Sequence, residues 1–146
     1  MLFNKSFFSK EEKEAIVKAI AEAEAMTSGE IRVHVESRCK NENVLDRAVE
    51  VFYNLKMNTT AQQNGVLIYL AHEDHKFAIL GDKGINHVVP ANFWDSIKEV
   101  MREHFKKDEF FQGVVFAIKE TGFHLKQYFP LQHNDKNELS NEISEE

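Results

Sequence analysis

The segment Val66–Leu70 is apolar at every position, and it constrains the fold more than any other part of the 146-residue chain. A continuous apolar run bounded by polar turns is typical of a central β-strand that is covered on both faces. The sheet around it therefore needs packing layers on both sides. With 42% hydrophobic and 29% charged residues, the chain has the composition of a folded domain that can build such a core.

Hydrophobic periodicity predicts two more strands and four helices around this segment. Glu30–Glu36 alternates strictly between polar and apolar residues, which is typical of a strand near a sheet edge with one face in water. Lys76–Leu80 forms the third strand, and the turn Ala71–His75 before it is too short for a crossover helix, so it predicts a hairpin. The predicted helices cover residues 10 to 26, Val44 to Leu55, a segment from Pro90 in its first turn to Phe105, and Phe111 to Leu125.

The order of these elements, α-β-α-β-β-α-α, predicts an α/β fold. The first strand, the second helix and the second strand form a right-handed crossover unit, so the two strands run parallel. The third strand returns through the hairpin and runs antiparallel to the second. We therefore expect a three-layer α/β sandwich, in which about four helices cover a small mixed sheet.

The composition changes after Pro130. Residues 131–146 contain five acidic residues and one lysine, a net charge of −4 out of −6 for the whole chain. Their apolar residues are limited to Leu131, Leu139 and Ile143. Because so few apolar groups cannot offset the entropy lost on ordering, we expect one domain over residues 1–130 and an acidic disordered tail over residues 131–146.

Several classes of function are excluded by composition and missing motifs. An acidic chain without clustered Lys and Arg gives no reason to expect a nucleic-acid partner, and no stretch is apolar enough for a membrane span. A single cysteine, Cys39, excludes an intramolecular disulfide and fits a reducing compartment, so we expect a cytoplasmic protein. Motifs for organic cofactors or nucleophilic catalysis are absent, so the sequence assigns no cofactor site and leaves any catalytic residues unknown.

Three polar side chains converge at one edge of the predicted sheet. Glu30 begins the first strand, Asn64 precedes the second, and Asp82 follows the third, which the hairpin returns to the same edge. Carboxylate and amide oxygens are the ligands that Ca²⁺ and Mg²⁺ prefer, so this edge is a candidate cation site. The alternative is that Glu30 and Asp82 only cap local backbone or form ion pairs with Arg32 and Lys83.

Four short motifs carry a resemblance to a known family. They are Ser28–Val33, Gln63–Ile68, Ile79–Ile85, and Phe105–Gly113 with its aromatic, acid and glycine before the last helix. In this order, over roughly residues 9 to 128, they resemble the TPM domain family, which includes thylakoid proteins linked to photosystem II repair and an accessory protein of an acetylcholine receptor.

The resemblance implies an α/β sandwich, frequent divalent-cation binding and, for some members, a weak acid phosphatase activity. The matching motif positions, which imply a metal site, are Glu30, Asn64, Asp82 and Asp108. The chain departs from many members in having Gln63 where they carry an acid. We also expect none of the signal peptide, membrane helix or glycine-rich tail that many members carry.

Three functions follow from these observations. We expect a domain that binds Ca²⁺ or Mg²⁺ with modest affinity and serves an accessory role, with an unidentified protein as a further partner. The first alternative is a weak metal-dependent phosphatase, and the second is a pure protein-interaction module. The first function is favoured over the phosphatase because the sequence predicts no histidine or serine at the edge to act as base or nucleophile.

Overall fold

One mixed sheet forms the centre of the computed structural model, which describes residues 6–132 and 137–146. Its strand order is β3-β2-β1-β4, with β1 parallel to both β2 and β4, and with β2 and β3 forming an antiparallel hairpin. This topology confirms the predicted α/β sandwich with a mixed sheet. The strands are β1 (Glu30–Glu36), β2 (Gly65–Ala71), β3 (Lys76–Gly81) and β4 (Ser144–Glu145).

Five helices pack against this sheet in the described ranges, and none of these helices is both long enough and apolar enough to cross a membrane. Ser9 and Glu12 form the capping box that their spacing predicts at the start of the first helix. Asn43 caps the second helix by accepting hydrogen bonds from two backbone N–H groups. The helices are α1 (Lys10–Glu24), α2 (Val44–Asn54), α3 (Lys83–Asn86), α4 (Asp95–Lys106) and α5 (Phe110–Leu125), with a short 3₁₀ helix at Met57–Thr59.

The prediction that Pro90 lies in the first turn of a helix is wrong. Helix α4 begins at Asp95, and Pro90 lies in the connection before it. Phe93 and Trp94, which the helical spacing includes in an apolar stripe, lie in a turn and still pack against the core. Tertiary packing of these two aromatic rings therefore produces the same burial without helical backbone.

The core consists of two clusters, one on each face of the sheet. Helices α1, α4 and α5 cover one face, where Ile31, Val66 and Ile79 contribute from the strands. Helix α2 covers the other face, where Leu67 and Tyr69 contribute from β2. Every residue of β2 is buried, as its continuous apolar sequence predicts.

The expectation of a water-exposed face on β1 is wrong. Glu30, His34 and Glu36 are only 3%, 1% and 3% exposed. Helix α2 and the C-terminal residues cover this face, so β1 is an inner strand whose polar row is buried.

Residues 137–146, hereafter the C-terminal segment, lie along β1. Strand β4 pairs with His34 and Val35, Leu139 is buried in the cluster beneath α2, and Ile143 packs against the opposite cluster. The expectation of disorder is therefore not met for the C-terminal segment. Residues 133–136, which the same expectation included, lie outside the described residues, and the domain boundary at residue 130 stays a prediction.

Replacement of Leu139 tests this docking. Because Leu139 is 8% exposed, Leu139→Ala should lower the free energy of unfolding by about 2 kcal/mol. Leu131→Ala is the matched control, since Leu131 is 52% exposed and its loss should change stability by less than about 0.5 kcal/mol. Chemical denaturation measures both values, and equal effects of the two substitutions would show that the C-terminal segment is not docked.

Candidate functional site

The predicted convergence of strand ends is present in the backbone. The Glu30 N–H donates to the Asn64 carbonyl oxygen at 3.2 Å, and the Asp82 N–H donates to the Gly65 carbonyl oxygen at 2.9 Å. Because side chains alternate along strands, Glu30, Gly65 and Asp82 project from the same face of the sheet as a row across three strands. Glu30 and Asp82 are thus two strand spacings apart, roughly 10 Å between their backbones.

The two carboxylates at the ends of this row do not meet. Gly65 lies between them, and a β-carbon built there would be 3.6 Å from Met57 Cε and 3.6 Å from Leu139 Cδ1. Met57 and Leu139 therefore fill the space that a glycine leaves open. As a result, Glu30 borders one pocket of about 120 Å³ and Asp82 borders another of about 140 Å³ beside α2.

The pocket beside Glu30 contains a second carboxylate, from Glu24 at the end of α1. Glu24 Oε2 accepts a hydrogen bond from the Ile31 N–H at 2.9 Å, and a Glu30 oxygen accepts one from the Leu139 N–H. Burial raises the pKa of each carboxyl to about 7, more than the backbone hydrogen bonds lower it. Repulsion from Glu30 adds to the rise at Glu24, and Glu138 acts in the same way on Glu30.

Neither carboxylate has a cationic partner in the described part of the chain. Arg32, the neighbour that could pair with Glu30, instead donates to the Glu142 carbonyl oxygen at 3.4 Å. The sequence missed Glu24 as a site residue. The signal was the short connection from α1 to β1, which places the last helical residue beside the first strand residue.

Asn64 and Asp82 have separate local roles. The Asn64 side chain donates to the Ser28 carbonyl oxygen at 3.1 Å and so joins the loops before β1 and β2. Asp82 caps α3 by accepting from the Lys83 N–H at 2.7 Å, as the capping alternative predicted. Its other oxygen, Oδ2, is buried and has no hydrogen-bond partner within the described residues.

Asp108 is not brought to this edge. Its carboxylate lies 2.6 Å from His75 Nε2, in the turn that connects β2 to β3. Strand β3 runs from that turn to Gly81, so Asp108 lies at the opposite end of the sheet from Asp82, about 17 Å away along the strand. The loop before α5 therefore packs against the hairpin turn and not against Gly81 and Asp82 at the other end of β3.

One group of metal-ligating side chains is close enough for a shared ion within the described ranges, and it is His34, Glu36 and Glu146. Arg47 already occupies it, since its guanidinium donates to both Glu36 oxygens at 2.9 and 2.7 Å and to Glu146 at 3.0 Å. Burial would raise the pKa of Glu36, but hydrogen bonds from Arg47, Tyr69 and His34 together lower it to about 2. We interpret this group as a buried ion-pair network in which a cation would compete with the guanidinium.

These features define a small α/β sandwich with two separated buried carboxylates, Glu30 and Asp82, at the edge where β1 and β2 begin and β3 ends. The chain belongs to the TPM domain family, whose sequence profile matches residues 3–122. No curated protein matches the chain significantly.

Solved structures of three bacterial proteins share the fold. The NMR structure of BA42 from the psychrophile Bizionia argentinensis is 49% identical, covers 100% of both chains and has a TM-score of 0.91. The N-terminal domain of the cg2496 protein from Corynebacterium glutamicum is 13% identical over 92% of this chain and 95% of that one, with a TM-score of 0.64. An N-terminal domain from P. gingivalis is 15% identical over 88% and 84%, with a TM-score of 0.66. The last two similarities concern the fold alone.

The raised pKa of Glu30 predicts how the stability of the protein changes with pH. A carboxyl whose pKa rises from 4.5 to about 7 on folding stabilises the protein below pH 4.5, and this contribution is lost as the pH rises through 7. Glu30→Gln, which keeps an oxygen to accept from Leu139, should therefore be more stable than the unmodified protein at pH 8 by about 1–3 kcal/mol. The difference should disappear near pH 4.

Urea denaturation at pH 4, 6 and 8 measures this dependence. Glu22→Gln serves as the control because Glu22 is exposed in the last turn of α1. The stability of this variant should follow that of the unmodified protein at each pH. A Glu30→Gln protein that is less stable at pH 8 would contradict the assignment of Glu30 as a destabilised, buried carboxylate.

Proposed function

We propose that this TPM domain binds a divalent cation, Ca²⁺ or Mg²⁺, at the edge where β1 and β2 begin, and that it serves a protein partner in an accessory role. Glu30 is the central ligand, and Glu24 supplies the second carboxylate. The single observation that carries the proposal is that the buried carboxylate of Glu30 and the half-buried carboxylate of Glu24 border one pocket whose described lining contains no cationic side chain. A bound cation would supply the positive charge that this pocket lacks.

The donor set fits a hard cation. Carboxylate and carbonyl oxygens are the ligands that Ca²⁺ and Mg²⁺ select, and Ser28 and Gly29 also line the pocket. Asn64 holds the Ser28 carbonyl in place through its side-chain hydrogen bond. Asp82, whose buried Oδ2 has no hydrogen-bond partner among the described residues, is a candidate ligand at a second position on the same edge. Asp108 lies beside His75, at the opposite end of the sheet, so it serves only as a control position for the substitutions below.

The accessory role and the location are also part of the proposal. The single thiol of Cys39 is compatible with a reducing compartment, and we propose a cytoplasmic location on that basis. A few charged ligands at a partly exposed edge favour modest affinity, in the range of tens of micromolar to millimolar.

Calcium titration tests the site. Calcium at about ten times its dissociation constant should add about 1.4 kcal/mol of stability, which raises the melting temperature by about 3–6 °C. Amide shifts in ¹⁵N spectra should concentrate at residues 24, 28–32 and 63–66, with 81–85 included if Asp82 is a ligand. Shifts confined to His72–His75, or centred on His34 and Glu36, would place the cation elsewhere and contradict the proposal.

Variants separate the ligands. Glu30→Gln should lose most of the calcium effect, because it removes one of the two carboxylates at the pocket. Asp108→Asn is the matched control, since it removes one carboxylate at the opposite end of the sheet and should bind calcium normally. Asp82→Asn decides whether the buried oxygen contributes to binding.

The phosphatase alternative predicts a different result. The pocket beside Glu30 offers the hydroxyls of Thr27 and Ser28, and the Thr27 hydroxyl already donates to the Phe129 carbonyl oxygen. Its described lining contains no histidine or cysteine to act as base or nucleophile. We expect turnover of a phosphate monoester with Mg²⁺ to stay below about 10 per second, and a faster rate that Glu30→Gln abolishes would favour the enzyme.

A further inference from the structure

Helix α2 has an apolar row on its exposed side. Leu45, Val49 and Tyr53, hereafter the α2 stripe, recur every four residues and are 51%, 40% and 50% exposed. Residues at this spacing lie on one side of a helix, so the three side chains form a row about 12 Å long. The opposite side of α2, which contains Val51 and Phe52, packs against the sheet. The α2 stripe is therefore apolar surface that the folding of one chain leaves in water.

A pocket of about 140 Å³ lies at the C-terminal end of the α2 stripe. Val49 and Tyr53 line it, and Phe52 and Leu80 contribute further apolar side chains. The other end of the stripe is the exposed side chain of Leu45. Two stripes that meet in opposite directions would therefore place the leucine of each copy beside the pocket of the other.

The two ends of α2 also carry opposite charges. Glu42 precedes the helix and Asp46 lies in its first turn, whereas Lys56 follows its last turn and Lys83 lines the pocket at that end. All four side chains are exposed, and none of them forms an ion pair within residues 6–132 and 137–146. A second copy of α2 turned end to end offers the same charges in the opposite order, so the surface is complementary to itself.

An antiparallel pair of helices centred on Val49 brings these features into register. Leu45 of one copy then meets Tyr53 of the other, because both residues lie four positions from the centre. Glu42 and Lys56 each lie seven positions from the centre, so opposite charges face each other at both ends of the pair. The same patch serves both copies, which is the arrangement of a two-fold symmetric interface.

We propose that the α2 stripe is a self-association surface, through which two copies of this chain form an antiparallel, two-fold symmetric dimer. One helix face buries less than the roughly 1,200–2,000 Å² of a stable interface, so the dimer is weak. We expect a dissociation constant of about 0.1–1 mM. The proposal does not depend on the cation site, which lies outside α2.

NMR relaxation of the full chain in EDTA tests the association. Between about 50 μM and 1 mM protein, the rotational correlation time should increase about 1.3-fold, and amide shifts should concentrate at residues 42–56. Leu45→Asp should remove the concentration dependence, because it places a carboxylate against an apolar side chain of the second copy. Leu131→Asp is the matched control, since Leu131 has the same exposure, 52%, lies outside α2 and gains the same charge.

Charge reversal tests whether the occupant of the α2 stripe is a second copy. Glu42→Lys and Lys56→Glu should each weaken self-association at least about threefold, since each variant places like charges opposite each other. An equimolar mixture of the two variants should associate as strongly as the unmodified protein. In the mixed dimer every contact between positions 42 and 56 again joins opposite charges.

Several results would overturn the proposal. One is a correlation time of the unmodified protein that follows that of Leu45→Asp at every concentration. Another is a mixture of the two charge variants that associates no more strongly than either variant alone. A chain that stays monomeric while its α2 amides shift on binding a different protein would assign the stripe to that protein and not to a second copy.

Discussion

The packing of the α2 side of the sheet depends on the buried carboxylate of Glu36. Four donor groups from three side chains converge on its two oxygens: Arg47 with two N–H groups, His34, and the Tyr69 hydroxyl. Removing a carboxylate from water costs several kcal/mol, so it persists in the core only because these donors replace its hydration. Because Arg47 is on α2 and Tyr69 on β2, the same interaction fixes the helix against two neighbouring strands.

The apolar part of the fold could be predicted from the sequence, and the polar row of β1 could not. Val66–Leu70 is buried on both faces as its composition requires, and the hairpin after it follows from the length of the turn. The alternation in Glu30–Glu36 has the pattern of a strand with one exposed face, because a pattern of residue types does not identify what lies opposite them. Arg47 and the C-terminal segment lie opposite, and both depend on contacts distant in sequence.

The candidate site was predictable to the level of backbone topology. A right-handed crossover followed by a hairpin brings the starts of β1 and β2 and the end of β3 to one edge of the sheet. The backbone hydrogen bonds from Glu30 to Asn64 and from Asp82 to Gly65 confirm this arrangement. Side-chain positions were not predictable, since Met57 and Leu139 over Gly65 separate the two carboxylates. The placement of Asp108 depends on how the loop before α5 packs, and no local sequence signal identifies His75 as its partner.

A sparse apolar pattern is weak evidence for disorder when a segment can use polar contacts. In the C-terminal segment, Leu139 buries its side chain and donates its backbone N–H to Glu30, and Arg47 donates to the side chain of Glu146 at the end of the segment. The polar row of β1 thus serves as a docking surface along its whole length, from Glu30 at the pocket to Glu36 at the ion-pair network. An apolar row on β1 could also bury the segment, but the docking free energy would then not depend on the charge state of β1. With a polar row, the docking free energy depends on the protonation of the carboxylates along the strand.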